Sequence, residues 1–177
     1  MAESQAFDVH IERLEGRSVV SLRVARTSAD TARRSLQLAP PLTAMENGAV
    51  VSLWLGPDRW LLVSEGVPAD RIVARCEEAL AGTVHSAVDQ SAAFAVFRLT
   101  GSRTRSVLAA GCGVDLRPHS FAAGAVCRCR LALVAAVLVA VDADAIEVYV
   151  DRSHGDYLRK WLNDSGRTLA LATGAGP

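Results

Sequence analysis

The sequence has few aromatic residues and no net charge. Phe, Trp and Tyr make up 5% of the 177 residues, so the core must be built mainly from Val, Leu and Ala. Nineteen acidic residues balance nineteen basic ones, among which Lys160 is the only lysine. A chain without net charge has no overall field that would attract nucleic acid or an anionic membrane surface. The composition therefore argues against nucleic-acid-binding and membrane-surface classes.

Long apolar runs and an export signal are also missing. The longest apolar run, Leu131 to Val141, has eleven residues, well short of the roughly 18 that a membrane-spanning helix requires. The N-terminal segment MAESQAFDVHIERLEG is polar and lacks the apolar centre of a signal peptide. We therefore expect a cytoplasmic protein whose four cysteines are reduced thiols.

What the sequence does contain is an alternation of strand and helix patterns that occurs twice. In the first half, strands are predicted at 17–24, 49–55, 59–64 and 84–88, and helices at 28–38 and 68–82. In the second half, strands are predicted at 93–99, 125–134, 135–141, 145–150 and 168–172, and helices at 102–110 and 153–166. Each half approximates strand, helix, strand, strand, helix, strand, which is the ferredoxin-like order.

The predicted fold class is therefore α+β, with two ferredoxin-like βαββαβ units in one composite domain over residues 16–172. Residues 1–15 are predicted to form an N-terminal tail. The last segment, 173–177, consists of Thr173 followed by Gly, Ala and Pro residues, and it is predicted to be a disordered C-terminal tail.

Four segments resemble, in this order, the gamma subunit of heterotetrameric sarcosine oxidase. They are LGPDRWLLVS at 55–64, VDQSAAFAVFRLTG at 88–101, GCGVDLRPHSF at 111–121 and YVDRSHGDYLRKWL at 149–162. The resemblance implies a reduced form of the folate-binding domain of glycine-cleavage aminomethyltransferases. That domain has the doubled ferredoxin-like arrangement that the element order predicts.

The resemblance also implies a function, namely a non-catalytic accessory subunit of a flavoenzyme in sarcosine catabolism. Such a complex oxidises the N-methyl group of sarcosine or a related amine, releases hydrogen peroxide, and passes the one-carbon unit to tetrahydrofolate. FAD, FMN, NAD and tetrahydrofolate are expected on partner alpha and beta subunits, and a small zinc-binding delta subunit completes the heterotetramer. The alternatives are an independent folate-binding one-carbon protein of the same fold, and a structural protein that has lost its partner.

No catalytic or cofactor-binding residue is predicted on this chain. An aminomethyltransferase carries an acidic residue in the second-half hairpin, whereas the corresponding residues 135–141 contain no carboxylate. No G-x-G-x-x-G dinucleotide motif occurs. Cys112 follows a predicted helix C-terminus, where the helix dipole disfavours a thiolate. Solvated positions are predicted for His119 in its loop and for an acidic turn with Asp142, Asp144 and Glu147.

The pair Cys127-x-Cys129 raises the question of a metal site. A one-residue spacer directs both thiols to the same face of a strand, which is compatible with chelation. Tetrahedral zinc, however, usually takes a second pair of ligands, and Cys76 and Cys112 are single while the histidines are scattered. The prediction is therefore small buried thiols and no metal.

Four residues are predicted to contact partner subunits: Trp54, Trp60, Asp115 and Phe121. Trp54 and Trp60 flank a hairpin turn, where core packing is the common role of tryptophan and partner contact the alternative. Asp115 and Phe121 lie in a loop that carries a family motif without carrying a reaction.

Overall fold

The computed structural model describes residues 9–172, which form two compact units. Among these residues, unit 1 contains 9–14, 95–123 and 128–172, and unit 2 contains 15–94 and 124–127. The chain segment expected to be one domain thus contributes to two units. The tail expected at 173–177 lies outside the described residues. Within residues 9–172, no helix is long and apolar enough to cross a membrane.

Ten strands and four α-helices are assigned in residues 9–172. The strands are β1 (His10–Leu14), β2 (Ser18–Val24), β3 (Ala44–Asn47), β4 (Val50–Gly56), β5 (Arg59–Ser64), β6 (His85–Asp89), β7 (Phe94–Thr100), β8 (Val126–Leu131), β9 (Val134–Asp142) and β10 (Ala145–Asp151). The helices are α1 (Ala29–Leu36), α2 (Ala69–Ala79), α3 (Thr104–Ala109) and α4 (Gly155–Ala172).

Unit 2 is a five-stranded antiparallel sheet in the order β3-β4-β5-β2-β6. Without the short edge strand β3, which the sequence did not predict, this is the strand order of a ferredoxin-like unit. Helix α1 buries Ala32 and Leu36. Helix α2 buries Ile72 and Cys76. In each helix the two residues are four positions apart and share a face, and both faces pack against β2 and β5 in one core.

Trp60 is the largest side chain of that core. It pairs with Leu22 of β2 and with Trp54 of β4, and only 2% of it is exposed. Its indole N–H donates a hydrogen bond to the carbonyl oxygen of Ala39 at 2.9 Å, so the one polar atom of the ring is satisfied inside the unit. Trp54 is only partly buried against the same core.

Unit 1 has the same strand arrangement as unit 2. Only the strand that corresponds to β6 differs in its place along the chain, because it precedes the other strands of its unit and does not follow them. Its sheet order is β1-β7-β10-β9-β8, which matches β6-β2-β5-β4-β3 of unit 2 position by position. Helix α3 follows β7 and helix α4 follows β10, as α1 follows β2 and α2 follows β5. The strand beside β7 is β1, in antiparallel register from His10↔Thr100 to Leu14↔Val96. The predicted α+β class with two ferredoxin-like units is confirmed.

The sequence predicted the wrong segment for the strand beside β7. The sequence suggested a tail over 1–15 and a closing strand over 168–172, whereas β1 occupies 10–14 and α4 extends to Ala172. Helix α4 continues because Leu158, Leu162 and Gly166 recur every four residues on its buried face. The glycine therefore lies inside the helix and does not end it. Strand β1 is short and only weakly alternating, so its pattern carries little strand signal.

We expect Trp60→Ala to lower the free energy of unfolding by about 3–5 kcal/mol, because a large cavity opens in a packed core. Trp54→Ala, which truncates the partly buried tryptophan on the paired strand, is the matched control and should cost clearly less. Denaturant titration followed by circular dichroism measures both losses. Equal losses would contradict the assignment of Trp60 to the core.

Candidate partner-contact surface

The structure separates the four predicted contact residues into two buried and two more accessible positions. Trp60 and Phe121 are 2% and 3% exposed, so neither side chain can act as an anchor on the surface of the folded chain. These two assignments are corrected, because burial in the folded chain already removes both aromatic rings from water. Trp54 is partly buried and Asp115 is exposed, and partner contact by these two residues stays a prediction.

Arg105 of α3 forms hydrogen bonds that fix the loop after this helix. Its guanidinium donates to the carbonyl oxygens of Leu116 at 2.6 Å and Phe121 at 2.8 Å. The same group donates twice to the carbonyl oxygen of Ala143 in the β9–β10 turn, at 2.9 and 3.0 Å. Leu116 and Phe121 are themselves buried. Because one rigid, planar donor group ties both ends of the segment to a neighbouring turn, the loop has a defined shape.

Asp115 organises the exposed part of the same loop. Its carboxylate accepts hydrogen bonds from Arg117 Nε at 2.8 Å and Nη2 at 2.7 Å, from the Arg117 backbone N–H at 3.1 Å, and from the Ser120 hydroxyl at 2.8 Å. These donors, above all the Arg117 side chain, hold the pKa of Asp115 well below its usual range. The carboxylate is therefore ionised at neutral pH, which fits a recognition element better than a proton-transfer group.

A second accessible element, the turn between β8 and β9, has an unusual backbone. Ala132 and Leu133 both have positive φ, 49° and 73°, a pair that is typical of a type I′ hairpin turn. Such turns favour Asn and Gly, and a residue with a Cβ is disfavoured in the left-handed region by about 1–2 kcal/mol. Leu133 is also 77% exposed, so burial of its side chain does not offset this cost within the chain.

Three hydrogen bonds hold the turn in this conformation. The Tyr157 hydroxyl donates to Ala132 O at 2.8 Å, Ala132 N–H donates to Gly111 O at 3.0 Å, and Arg130 Nη2 donates to Leu133 O at 3.3 Å. The bond to Gly111 places the turn beside the start of the Asp115 loop. We define the contact surface as the exposed residues of these two elements: Gly113, Asp115, Arg117, Pro118, His119, Ser120 and Leu133.

Sequence reasoning missed Arg105 and Leu133. The apolar run 131–141 suggested two adjoining strands without a distinct turn, because Ala132-Leu133 is not a turn dipeptide. Arg105 gave no signal because its partners are carbonyl oxygens at positions 116, 121 and 143, which only the fold brings together.

Unit 1 also contains a buried carboxylate, Glu147, which the sequence had placed in a solvated turn. Glu147 is 4% exposed. Its Oε1 accepts from Arg98 Nη2 at 2.7 Å and Nε at 3.2 Å, and its Oε2 accepts from the Tyr149 hydroxyl at 2.7 Å. Tyr149 shares a face of β10 with Glu147 because the two residues are two positions apart. Asp142 and Asp144 are exposed, as expected. A buried charge requires such partners, so we assign the network a structural role.

The cysteines present no ligand set in the described part of the chain. Within residues 9–172, no three His, Cys, Asp or Glu side chains are grouped so that they could hold a metal ion. Cys76 is buried in unit 2, and burial raises the pKa of its thiol to about 11, which disfavours a nucleophilic role. Cys112, Cys127 and Cys129 are partly buried.

Comparison with known families and curated proteins gives one consistent result. The family model described as "Sarcosine oxidase, gamma subunit family" matches residues 17–168 of this chain. The curated sarcosine oxidase subunit gamma of Corynebacterium sp. (strain U-96) is 29% identical over 120 residues. That alignment covers 68% of this chain and 58% of the relative, so it spans less than two thirds of the relative's length.

Two solved structures share the fold. A chain of heterotetrameric sarcosine oxidase from Corynebacterium sp. U-96, in complex with pyrrole 2-carboxylate, matches with a TM-score of 0.81 and 23% identity. The match covers 90% of this chain and 84% of that one. The glycine cleavage system aminomethyltransferase T from Bartonella henselae matches with a TM-score of 0.65 and 12% identity, over 90% of this chain and 46% of that one. At these identities the likeness shows the fold, and the expected similarity in fold to aminomethyltransferases is confirmed.

We expect Glu147→Ala to lower the free energy of unfolding by about 3–5 kcal/mol, because it removes the carboxylate that accepts hydrogen bonds from Arg98 and Tyr149. Asp144→Ala, at an exposed carboxylate in the adjoining turn, is the control and should change stability by about 0.5 kcal/mol or less. Thermal and denaturant unfolding measure both. A loss in Glu147→Ala no greater than that of the control would remove the structural role of the network.

Proposed function

This chain belongs to the sarcosine oxidase gamma subunit family, and on that premise we propose that it is a non-catalytic accessory subunit of a sarcosine oxidase-like flavoenzyme. The observation that carries the proposal is the family match over residues 17–168. The likeness in fold to a chain of a heterotetrameric sarcosine oxidase supports it.

In this proposal the chemistry takes place on partner chains. Alpha and beta subunits hold FAD, FMN, NAD and tetrahydrofolate and oxidise the N-methyl group of sarcosine or a related amine, and a small zinc-binding delta subunit completes the complex. The present chain contributes a folded surface and no reacting group. The carboxylates of Asp115 and Glu147 agree with this division, because each of them accepts hydrogen bonds from side chains of its own unit.

We place the contact with the partner on the surface formed by the Asp115 loop and Leu133. Leu133 is an apolar side chain held out to solvent by a backbone conformation that leucine disfavours. Backbone strain of this kind persists where the surrounding structure fixes it, and it concentrates at functional sites. The hydrogen bonds from Tyr157 and Arg130 provide that fixation. A leucine ordered before binding loses little conformational entropy when it enters a pocket on the partner.

The partner pocket should be apolar at its centre, to receive Leu133, with polar groups at its edge. The neighbouring loop presents Asp115 and Arg117 as an ion pair together with the exposed ring of His119. Such a polar rim around an apolar centre is the usual anatomy of a stable interface. Trp60 and Phe121 then affect assembly only through the folding of their units.

The test is a substitution that weakens the contact without weakening the fold. Asn tolerates positive φ better than Leu does, so Leu133→Asn should leave the chain at least as stable as the wild type. It should nevertheless raise the dissociation constant for the co-expressed large subunits by roughly 10- to 100-fold, as expected for loss of an apolar anchor. Isothermal titration calorimetry measures the affinity, and thermal unfolding confirms the fold.

Val84→Asn is the matched control, because Val84 is also 77% exposed and lies in unit 2. It should bind like the wild type. Wild-type affinity of Leu133→Asn would move the contact elsewhere on the chain and leave the accessory role intact. If the wild-type chain fails to join the large subunits, and the oxidase is fully active without it, the accessory role itself is wrong.

A further inference from the structure

Two thiols in unit 1 lie within reach of each other. The Sγ atoms of Cys112 and Cys129 are 3.6 Å apart. Cys112 follows helix α3 and Cys129 lies in β8, so 17 positions of sequence separate them. A disulfide has an S–S length of about 2.04 Å. Closing the gap therefore requires the two sulfur atoms to approach by about 1.6 Å, a movement of the size that rotation about the Cα–Cβ bonds provides.

The backbone on both sides keeps these two thiols together. Cys112 forms an isolated antiparallel bridge with Leu131, and Ala132 N–H donates to Gly111 O at 3.0 Å. Gly111 lies directly under the indole of Trp161, since a Cβ at this position would lie 2.5 Å from that ring. The segment that carries Cys112 is thus tied to the end of β8 and covered by α4. The proximity of the thiols is a property of the fold and not of two mobile side chains.

We propose that Cys112 and Cys129 form a reversible disulfide when the chain meets hydrogen peroxide. One thiolate attacks a peroxide oxygen, the O–O bond breaks, and a sulfenic acid and water form. The second thiolate then attacks the sulfenic sulfur, the S–S bond forms, and the departing hydroxide takes up a proton as a second water. In total, two thiols and one peroxide give one disulfide and two waters, and the peroxide accepts both electrons. A dithiol reductant reverses the reaction by thiol–disulfide exchange.

The environment of Cys112 makes this a slow, selective reaction. Burial raises the pKa of its thiol, while the backbone N–H of Val114, 3.4 Å from Sγ, favours the thiolate. A solitary oxidised thiol would continue to irreversible acids, whereas here the second sulfur is in place to resolve the sulfenic acid. The cross-link would join the start of the Asp115 loop to the strand that leads into the Leu133 turn. It would therefore fix the two elements of the contact surface to each other.

The proposal stands on the geometry of this chain and does not depend on its partner. An amine oxidase of the proposed kind releases hydrogen peroxide nearby, but the test supplies the peroxide directly to the purified full-length chain. The chain is reduced, treated with a small excess of hydrogen peroxide at mildly alkaline pH, and then unfolded in denaturant and blocked with iodoacetamide, so that the buried Cys76 also reacts. The number of thiols that react should fall from four to two, and dithiothreitol should restore all of them.

Peptide mapping identifies the bond. Trypsin cleaves after Arg128 and so separates Cys127 from Cys129, but it does not cut the Arg117–Pro118 bond and leaves Cys112 and Cys127 on one peptide. A second digestion with endoproteinase Asp-N, which cleaves before Asp115, separates Cys112 from Cys127, so that the three possible pairs in this region can be told apart. We expect one cross-linked species that joins the Cys112 and Cys129 peptides, with a mass lower by two hydrogen atoms than the sum of the two. Cys127→Ala, the matched control, should form the same cross-link, and Cys129→Ala should form none and should accumulate the sulfinic acid.

A dominant bond that involves Cys127, or oxidation of single thiols without any cross-link in the wild-type chain, would overturn the proposal. If Cys129→Ala does not fold, the maps of the wild type and of Cys127→Ala decide the question by themselves. A thermal unfolding temperature that rises on oxidation in these two proteins, and falls again after reduction, would confirm that the bond forms within the native fold.

Discussion

Both units depend on an antiparallel strand pair near the middle of the sheet, β2 with β5 in unit 2 and β9 with β10 in unit 1. Side chains alternate between the faces of a strand, so a slip of one residue in either pair would move every side chain of the slipped strand to the opposite face of the sheet. In unit 2 the register Leu22↔Trp60 places the largest ring of the core under helices α1 and α2. In unit 1 the register Glu147↔Val139 places the carboxylate on a buried face.

The two strand pairs differ in the polar groups that they bury. The β2–β5 pair presents an apolar face to its helices, and its one polar ring atom, the Trp60 indole N–H, is satisfied by a backbone carbonyl. The β9–β10 pair carries a charged group in an otherwise apolar strand, so it needs Arg98 from β7 and the hydroxyl of Tyr149. Removing one partner from such a network costs more than the network adds to stability. The network joins the neighbouring strands β7 and β10, because Arg98 lies on the first and Glu147 on the second.

The polar side chains near the loop after α3 also make their hydrogen bonds within unit 1. Arg105 uses its donors to shape the loop after α3, and Asp115 is engaged by Arg117 and Ser120. What remains accessible is a shaped, ordered surface with Leu133 at one end. The Cys112–Cys129 pair lies at the junction of the two elements of that surface, where a covalent bond would bear on both.

The sequence by itself determined the fold class and most of the elements. Local patterns are sufficient for this, because the alternation in Val20, Leu22 and Val24 and the four-residue spacing of Ile72 and Cys76 depend only on strand and helix geometry. The family also followed from the sequence, since the segments that resemble it stand in the right order. These are properties of residues that lie close together along the chain.

The tertiary structure decided everything that requires distant residues to meet. It placed β1, and not the end of the chain, beside β7, because the edge of a sheet is filled by whichever segment can pair there. It buried Phe121 and Glu147 and exposed Leu133, since burial depends on what covers a side chain and not on its hydrophobicity alone. It also brought Cys112 to Cys129, two thiols that no local spacing rule connects.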